Sequence, residues 1–155
     1  MSFDSELSAR FRPVAEAQTI GFRSGTVARL IAPGSVTNND FGLFRWEMPG
    51  RTGGASPHFH RNISESFYVL SGTVRLFNGA QWVDATAGDF LYVPRNGVHG
   101  FSNDADQPAS MLILFSPGAP RENYFRELAE RAASGVEYSP ENRREFLARH
   151  DQYDA

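Results

Sequence analysis

The sequence predicts an all-β domain, an antiparallel sandwich or barrel, followed by two α-helices. Over residues 26–116, short apolar segments alternate with turn residues roughly every 8 to 14 positions, which is typical of antiparallel sheets. Beyond Pro117 the apolar residues recur with the period of a helix. Residues 1–25 are mostly polar, so we expect an N-terminal arm (1–25), a barrel (26–116) and a helical extension (117–155) within one domain of 155 residues.

The strands are predicted from apolar alternation and from their turns. In the second one, Phe44, Trp46 and Met48 share one parity, so one face of that strand should be buried. Asn78-Gly79 is the strongest hairpin signal, because both residues tolerate positive φ. The last strand is almost wholly apolar and predicts coverage on both faces. The expected strands are Thr26–Ile31, Phe41–Met48, Glu65–Leu70, Thr73–Phe77, Gln81–Ala85, Phe90–Val93, Gly97–Ser102 and Ala109–Phe115.

Two helices are predicted after the barrel. The first has one apolar face and a stop at Ser134-Gly135, and the second begins at Ser139-Pro140, with Ser139 as the N-cap. Neither helix shows evident chemistry, so we expect both to serve packing or an interface. The apolar face of the first helix comprises Tyr124, Phe125, Leu128, Ala129 and Ala132.

The composition excludes several classes of chemistry. There is no cysteine, which removes disulfides, thiolate nucleophiles and sulfur ligands, and all 15 basic residues are arginine, which removes Schiff-base chemistry. The net charge is −3 and no arginine cluster marks a nucleic-acid site. No apolar run reaches the ~20 residues of a membrane span. The first residues lack the basic start and the apolar stretch of a secretory signal. We therefore expect a cytoplasmic protein with no nucleic-acid or membrane partner.

Three of the four histidines predict a metal site. His58 and His60 are two residues apart, so on a strand both rings point to the same face and can share one ion. Glu65 is close enough in sequence to return a carboxylate to that point, and His99 follows a sharp turn and can add a third nitrogen. Imidazoles and a carboxylate suit first-row divalent ions. The fourth histidine, His150, lies near the end of a predicted helix, where the helix dipole favours a cation.

The histidine segment resembles the first motif of the cupin superfamily. That motif has a glycine, five residues, His-x-His, three or four residues, Glu, six residues and a glycine. His58, His60, Glu65 and Gly72 match it, with the longer spacing before the glutamate. The opening glycine position falls on Thr52, beside two glycines, and this departure touches no ligand.

The later segment resembles the second cupin motif, in which a glycine, Pro-x-Gly, His and Asn follow one another. Gly88, Pro94, His99 and Asn103 match it. Asn96 stands where the turn glycine is usual, and asparagine tolerates the left-handed conformation, so we expect the turn to persist. We expect the glycines, the proline and Asn103 to shape turns without binding the metal.

The resemblance implies a double-stranded β-helix, or jelly roll, over the barrel residues. It also implies one divalent transition metal (Fe, Mn, Ni, Co, Cu or Zn), held by His58, His60, Glu65 and His99. Three nitrogens and one oxygen leave one or two coordination positions for water, substrate or O₂. Glu65 would then also be the candidate catalytic base.

The expected function is that of a metal-dependent dioxygenase, resembling the quercetinase-like cupins, that acts on a small aromatic or enolic compound. The predicted substrate pocket is lined by the aromatic and apolar residues Phe44, Trp46, Met48, Phe67 and Phe101. For Phe44, Trp46 and Met48, the alternative is that they belong to the ordinary hydrophobic core. A sugar-nucleotide substrate would need several arginines that point into the site. We do not expect Arg45 or Arg51 to point there, because of the strand parity of Arg45 and the loop position of Arg51.

Two further functions remain open. A redox-neutral cupin isomerase, lyase or cyclase differs from the dioxygenase in consuming no O₂. A non-catalytic cupin would only bind a small ligand. A homodimer is expected, because related cupins often exchange edge strands or arms between chains.

Overall fold

Alternating apolar residues build two antiparallel sheets and a short third one. The structure is a computed structural model that describes residues 8–118 and 120–155, so the first seven residues of the expected arm lie outside it. The strands are β1 (Thr19–Gly21), β2 (Val27–Ala32), β3 (Gly42–Met48), β4 (Thr52–Gly53), β5 (His58–Phe59), β6 (Ser64–Ser71), β7 (Val74–Phe77), β8 (Trp82–Ala85), β9 (Phe90–Val93), β10 (Gly100–Asn103), β11 (Ala109–Ser116) and β12 (Tyr153–Asp154).

The larger sheet has six strands in the order β1-β2-β3-β11-β6-β9. Along β3, buried and half-buried residues alternate strictly, so Phe44, Trp46 and Met48 point inward as predicted. Arg45, between them, forms an ion pair with Glu47 (2.9 Å) on the solvent side. Part of the expected arm joins this sheet, because β1 pairs with β2 from Thr19–Gly21.

The second sheet has four strands in the order β4-β10-β7-β8. Its first strand was not expected, since residues 51–57 predict only a loop. Thr52 pairs with Asn103 of β10, and its hydroxyl donates to the carbonyl of Pro49 (2.7 Å). A two-residue strand is too short to carry an alternating pattern, which is why the sequence does not reveal it.

The last long strand, β11, is covered less completely than its sequence predicts. It lies between β3 and β6 and buries Met111, Ile113 and Phe115 almost fully, but Leu114 on the other face is 37 % exposed. An apolar run shows that a strand is central in its sheet, but it does not show that a second layer covers both faces.

Two helices follow the barrel, α1 (Arg121–Ser134) and α2 (Pro140–Arg149). The first ends at Gly135, which adopts the left-handed conformation (φ 68°), as its stop signal predicts. The side chain of Ser139 accepts a hydrogen bond from the amide of Asn142 (3.1 Å), which confirms the predicted N-cap. Among the described residues, no helix has the length and apolar character needed to cross a bilayer.

Candidate metal centre

The strand that carries His58 faces the turn that carries His99. The two residues form an antiparallel bridge in which each amide donates to the other's carbonyl (both 2.9 Å). Their rings are consequently close, with centroids 4.3 Å apart, and the ring of His60 lies 5.0 Å from that of His58. Strand geometry thus brings a residue 41 positions away beside the His-x-His pair.

The turn before His99 keeps its shape despite the departure from the usual glycine. Asn96 has φ 68°, in the left-handed region, as expected for asparagine there. The amide of Gly97 then donates to the carbonyl of Pro94 (2.9 Å). Asn103, fully buried, donates to the carbonyls of Pro49 and Gln107 and shapes the following loop.

The four predicted ligand residues converge. His58, His60, Glu65 and His99 are all buried, and one potential ligand atom from each lies within 4.8 Å of the others. One carboxylate oxygen of Glu65 accepts hydrogen bonds from Nε2 of His60 (2.9 Å) and Nε2 of His99 (2.6 Å). Donors about 2.1 Å from a common ion would lie roughly 3 to 4 Å apart, so the cluster can hold a metal ion after small side-chain shifts.

The outer nitrogens of the three rings are all fixed by backbone carbonyls. Nδ1 of His58 donates to Ser56 (2.8 Å), and Nδ1 of His99 donates to Gly97 (2.9 Å). Nδ1 of His60 donates to the carbonyl of Asp151 (2.7 Å) near the end of the chain. With a proton on each Nδ1, all three rings direct Nε2 toward the centre, where a metal ion would replace any proton carried by that nitrogen.

The charges of the cluster are strongly coupled. Burial alone would raise the pKa of Glu65, but the charge of His99 and the hydrogen bonds from His60 and His99 hold it well below its ordinary value. Burial works against the charged form of His99, yet the adjacent Glu65 raises its pKa above the ordinary value. Burial lowers the pKa of His58 to about 4. Glu65 is therefore ionised and His58 neutral at pH 7, the states in which each could bind a metal ion.

A cavity of about 520 Å³ opens beside this cluster. His58 and Glu65 border it, and so do two of the predicted pocket residues, Trp46 and Phe101, whose rings meet edge to face at 6.0 Å. This volume falls in the usual range for small-molecule sites. The metal-ligand cluster and an aromatic cavity are thus continuous.

The other three predicted pocket residues lie in the core and do not border the cavity. Phe44 packs edge to face on the rings of Phe115 and Phe125, and Met48 is almost completely buried. Phe67 supports the site from behind, with its ring 5.9 Å from that of His99. Parity places a side chain on the inner face, but it does not distinguish the packed layer from the cavity wall.

The two C-terminal helices also line the cavity, contrary to the expectation that they serve only packing or an interface. Arg121, Tyr124 and Phe125 of α1 border it, as does Phe146 of α2. The sequence does hold a signal for this role. Arg121 lies three and four residues before Tyr124 and Phe125, so a charged residue occupies the apolar face of α1.

The end of the chain returns to the metal-ligand cluster. Strand β12 pairs with β5, placing Asp154 opposite His58. The carboxylate of Asp151 accepts from the amides of Arg61 and Asn62 (3.0 and 2.9 Å). His150, for which the helix dipole was the predicted explanation, also has a side-chain partner, because its Nε2 lies 2.9 Å from Glu127.

Comparisons with known proteins agree with this architecture. Residues 44–115 match the family model for the cupin domain. The chain is 30 % identical over 102 residues to quercetin 2,3-dioxygenase of Bacillus subtilis (strain 168), covering 66 % of this chain and 29 % of that protein. It is 28 % identical over 93 residues to mannose-1-phosphate guanylyltransferase RfbM of Salmonella typhimurium, covering 60 % of this chain and 19 % of that protein. The chain therefore spans less than a third of the length of these curated relatives.

Solved structures resemble it in fold. KdgF from Halomonas sp. superposes with a TM-score of 0.61 at 19 % identity, covering 71 % of this chain and 94 % of that one. The polyketide cyclase RemF from Streptomyces resistomycificus gives a TM-score of 0.58 at 21 % identity, covering 70 % and 80 %. Fold and buried cluster together define a double-stranded β-helix with a candidate metal centre. Residues 44–115 form a domain of the cupin superfamily.

Proposed function

We propose that this chain is a metal-dependent cupin enzyme, a dioxygenase that acts on a small aromatic or enolic compound. The observation that carries the proposal is the continuity between four buried donor groups and an aromatic cavity. The similarity to a quercetin 2,3-dioxygenase, at 30 % identity, supports the same class of reaction.

The donor set suits a divalent transition ion. His58, His60, Glu65 and His99 would hold one ion of Fe, Mn, Ni, Co, Cu or Zn, because imidazole and carboxylate ligands fit these metals. A bound ion would supply Lewis acidity and, for the redox-active metals, a means of activating O₂.

Glu65 has a second role in the proposal, as the catalytic base. Its carboxylate borders the cavity and stays ionised, because hydrogen bonds from His60 and His99 hold its pKa low. An ionised carboxylate at the cavity wall can accept a proton from an enol or phenol hydroxyl at its Oε atoms. Both histidine hydrogen bonds end on Oε2, so Oε1 is available for this transfer.

The cavity wall favours a planar, partly apolar substrate. Trp46, Phe101, Tyr124 and Phe125 all border it, and the rings of Trp46 and Phe125 are in contact, with centroids 5.1 Å apart. Aromatic side chains of this kind bind ring systems through offset and edge contacts. Burial of the substrate among them would also exclude bulk water from the reacting atoms.

Oxygen consumption tests this proposal. The protein loaded with Fe(II) or Mn(II) is screened in an oxygen electrode against flavonols, catechols and β-diketones. We expect O₂ uptake with at least one class and uptake at least about 100-fold slower with Glu65→Gln. Turnover without O₂ uptake, or binding without turnover, would contradict the dioxygenase assignment.

A redox-neutral isomerase, lyase or cyclase is the second candidate, and one observation favours it. Tyr124 borders the same cavity as Glu65, and burial raises the pKa of its hydroxyl. A protonated phenol and an ionised carboxylate in one cavity form an acid–base pair that could move a proton across a substrate. Product formation under anaerobic conditions, abolished by Tyr124→Phe, would establish this reaction. Ligand binding with no product would instead establish a non-catalytic binding cupin.

We also propose a homodimer in which β9 meets a second copy. This strand is the edge of the six-stranded sheet, and its outer face exposes Phe90 and Tyr92 beside Tyr68 and Leu114. Unpaired edge strands with exposed apolar side chains are natural association sites. Light scattering at micromolar concentration should give twice the chain mass. The cytoplasmic location remains a prediction that cell fractionation would test.

A further inference from the structure

Arg121 is a buried cation at the cavity wall. Its residue is only 4 % exposed, and its guanidinium lies 4.2 Å from the ring centre of Tyr124 and 5.1 Å from that of Phe115. One terminal nitrogen donates to the carbonyl of His150 (2.7 Å) and the other to the side-chain oxygen of Gln152 (3.0 Å). Its Nε is buried without a hydrogen-bond partner.

No carboxylate forms an ion pair with this guanidinium within the described part of the chain. Both hydrogen-bond acceptors are neutral, and the carboxylate of Asp151 is engaged by the amides of Arg61 and Asn62. Glu65 is engaged by two histidines. A buried charge normally has a paired counter-charge, because removing it from water is costly. The described residues provide none in contact with Arg121.

The charge of the cavity would become more positive with a metal in place. Among the charged residues that border the cavity, Arg143 is paired with Asp154, Arg121 and Glu65 offset each other and Arg131 is positive, so a divalent ion would leave the cavity with a net positive charge. A neutral substrate would leave this charge uncompensated. An anionic substrate would complete the balance in a region that excludes most water.

We propose that the cavity takes a small aromatic or enolic compound bearing a carboxylate, and that Arg121 pairs with this carboxylate. This inference rests on the proposed function for the ring-binding half of the cavity and adds the acid group. Trp46 and Phe101 contact the ring, and Arg121, which borders the cavity from α1, supplies a charge that has no paired carboxylate. A charge-assisted bond from an arginine to a carboxylate is among the strongest available to a ligand.

An isosteric substitution tests the role of the charge. Gln152→Glu would place a carboxylate where the amide now accepts from Arg121, so the protein would neutralise its own cation. The metal-free protein is titrated with salicylate and with 2-hydroxybenzyl alcohol, which differ only in the acid group, by calorimetry. We expect wild type to bind salicylate at least tenfold more tightly, and Gln152→Glu to bind the two probes within about twofold of each other.

Substitutions of the arginine separate charge from packing. Arg121→Lys keeps the positive charge and should retain part of the preference for salicylate, whereas Arg121→Met should lose it. A purely structural role would affect both variants alike. Arg126→Gln is the matched control, since Arg126 lies on the same helix but does not border the cavity, and it should bind both probes as wild type does.

The possible outcomes separate this inference from the proposed function. Equal affinity of wild type for the two probes would overturn the assignment of Arg121, and so would a preference that survives Gln152→Glu. If the protein binds one metal per chain but shows no preference for salicylate, the proposed metal site is supported and the proposed substrate carboxylate is refuted. A preference for salicylate in a protein that binds no metal would support Arg121 and contradict the proposed metal-dependent enzyme.

Discussion

Replacing both His58 and His60 by alanine is the most informative perturbation of the metal centre. The two rings supply two of four donors, and each is almost completely buried. If protein sites bind such ions with roughly 12 kcal/mol, four donors contribute about 3 kcal/mol each. Losing two should then weaken binding by about 6 kcal/mol, or roughly 10⁴-fold.

Elemental analysis measures this effect directly. Wild type purified without added ions should carry close to one transition metal per chain, and the double variant should carry almost none. The fold should persist at a lower melting temperature, because truncating a buried side chain costs about 1 to 3 kcal/mol and His60 also loses its bond to Asp151.

His150→Ala is the matched control, because the fourth histidine bonds to Glu127 and lies outside the cluster. It should keep its metal. Full metal occupancy in the folded double variant would show that the ligand assignment is wrong.

Three further predictions follow from the same geometry. Glu65→Gln should lower kcat about 100-fold or more at saturating metal with little change in KM, if the carboxylate is the base, and steady-state kinetics with the substrate found in the oxygen screen would show this. Metal affinity should fall about tenfold for each pH unit below the raised pKa of His99, because a proton must leave that ring before it binds the ion. His58, with a pKa of about 4, stays neutral down to pH 5 and adds little to this dependence. Calorimetry in buffers of different ionisation enthalpy should show one proton released per metal bound, and release of none would refute the prediction. Phe90→Arg should convert the proposed dimer to a monomer in light scattering, and an unchanged mass would place the interface elsewhere.

The strands and the placement of His58 beside His60 were predictable because their signals are local. Alternation in β3 requires only that one face be buried, and the spacing of His58 and His60 requires only that they occupy an extended segment. The left-handed Asn96 was also predictable, since the conformational preference of asparagine is intrinsic to the residue.

The cavity wall could not be predicted in the same way. Whether Phe44 lines a pocket or packs against another ring depends on where α1 docks, and strand parity carries no information on docking. The apolar period of the two helices predicts packing alone, because a pattern along the chain does not show what a helix docks against. Arg121 in the apolar face of α1 was the available signal, and its meaning emerges only when Glu65 and α1 are placed around one cavity.

The contact between the C-terminal residues and His60 could not be predicted from the sequence either. The acceptor for His60 is a backbone carbonyl, that of Asp151, which every residue possesses and no sequence pattern marks. Pairing of β12 with β5 brings this carbonyl to the ring across 91 positions. Contacts made by the backbone at long sequence separation therefore need the fold before they can be found.

Anomalous diffraction from crystals grown with Mn(II) or Fe(II) tests the central claim most directly. We expect one strong peak per chain, at bonding distance from Nε2 of His58, His60 and His99 and from a carboxylate oxygen of Glu65. The absence of a peak at this point in fully loaded crystals, or a single peak bound by other residues, would contradict the account.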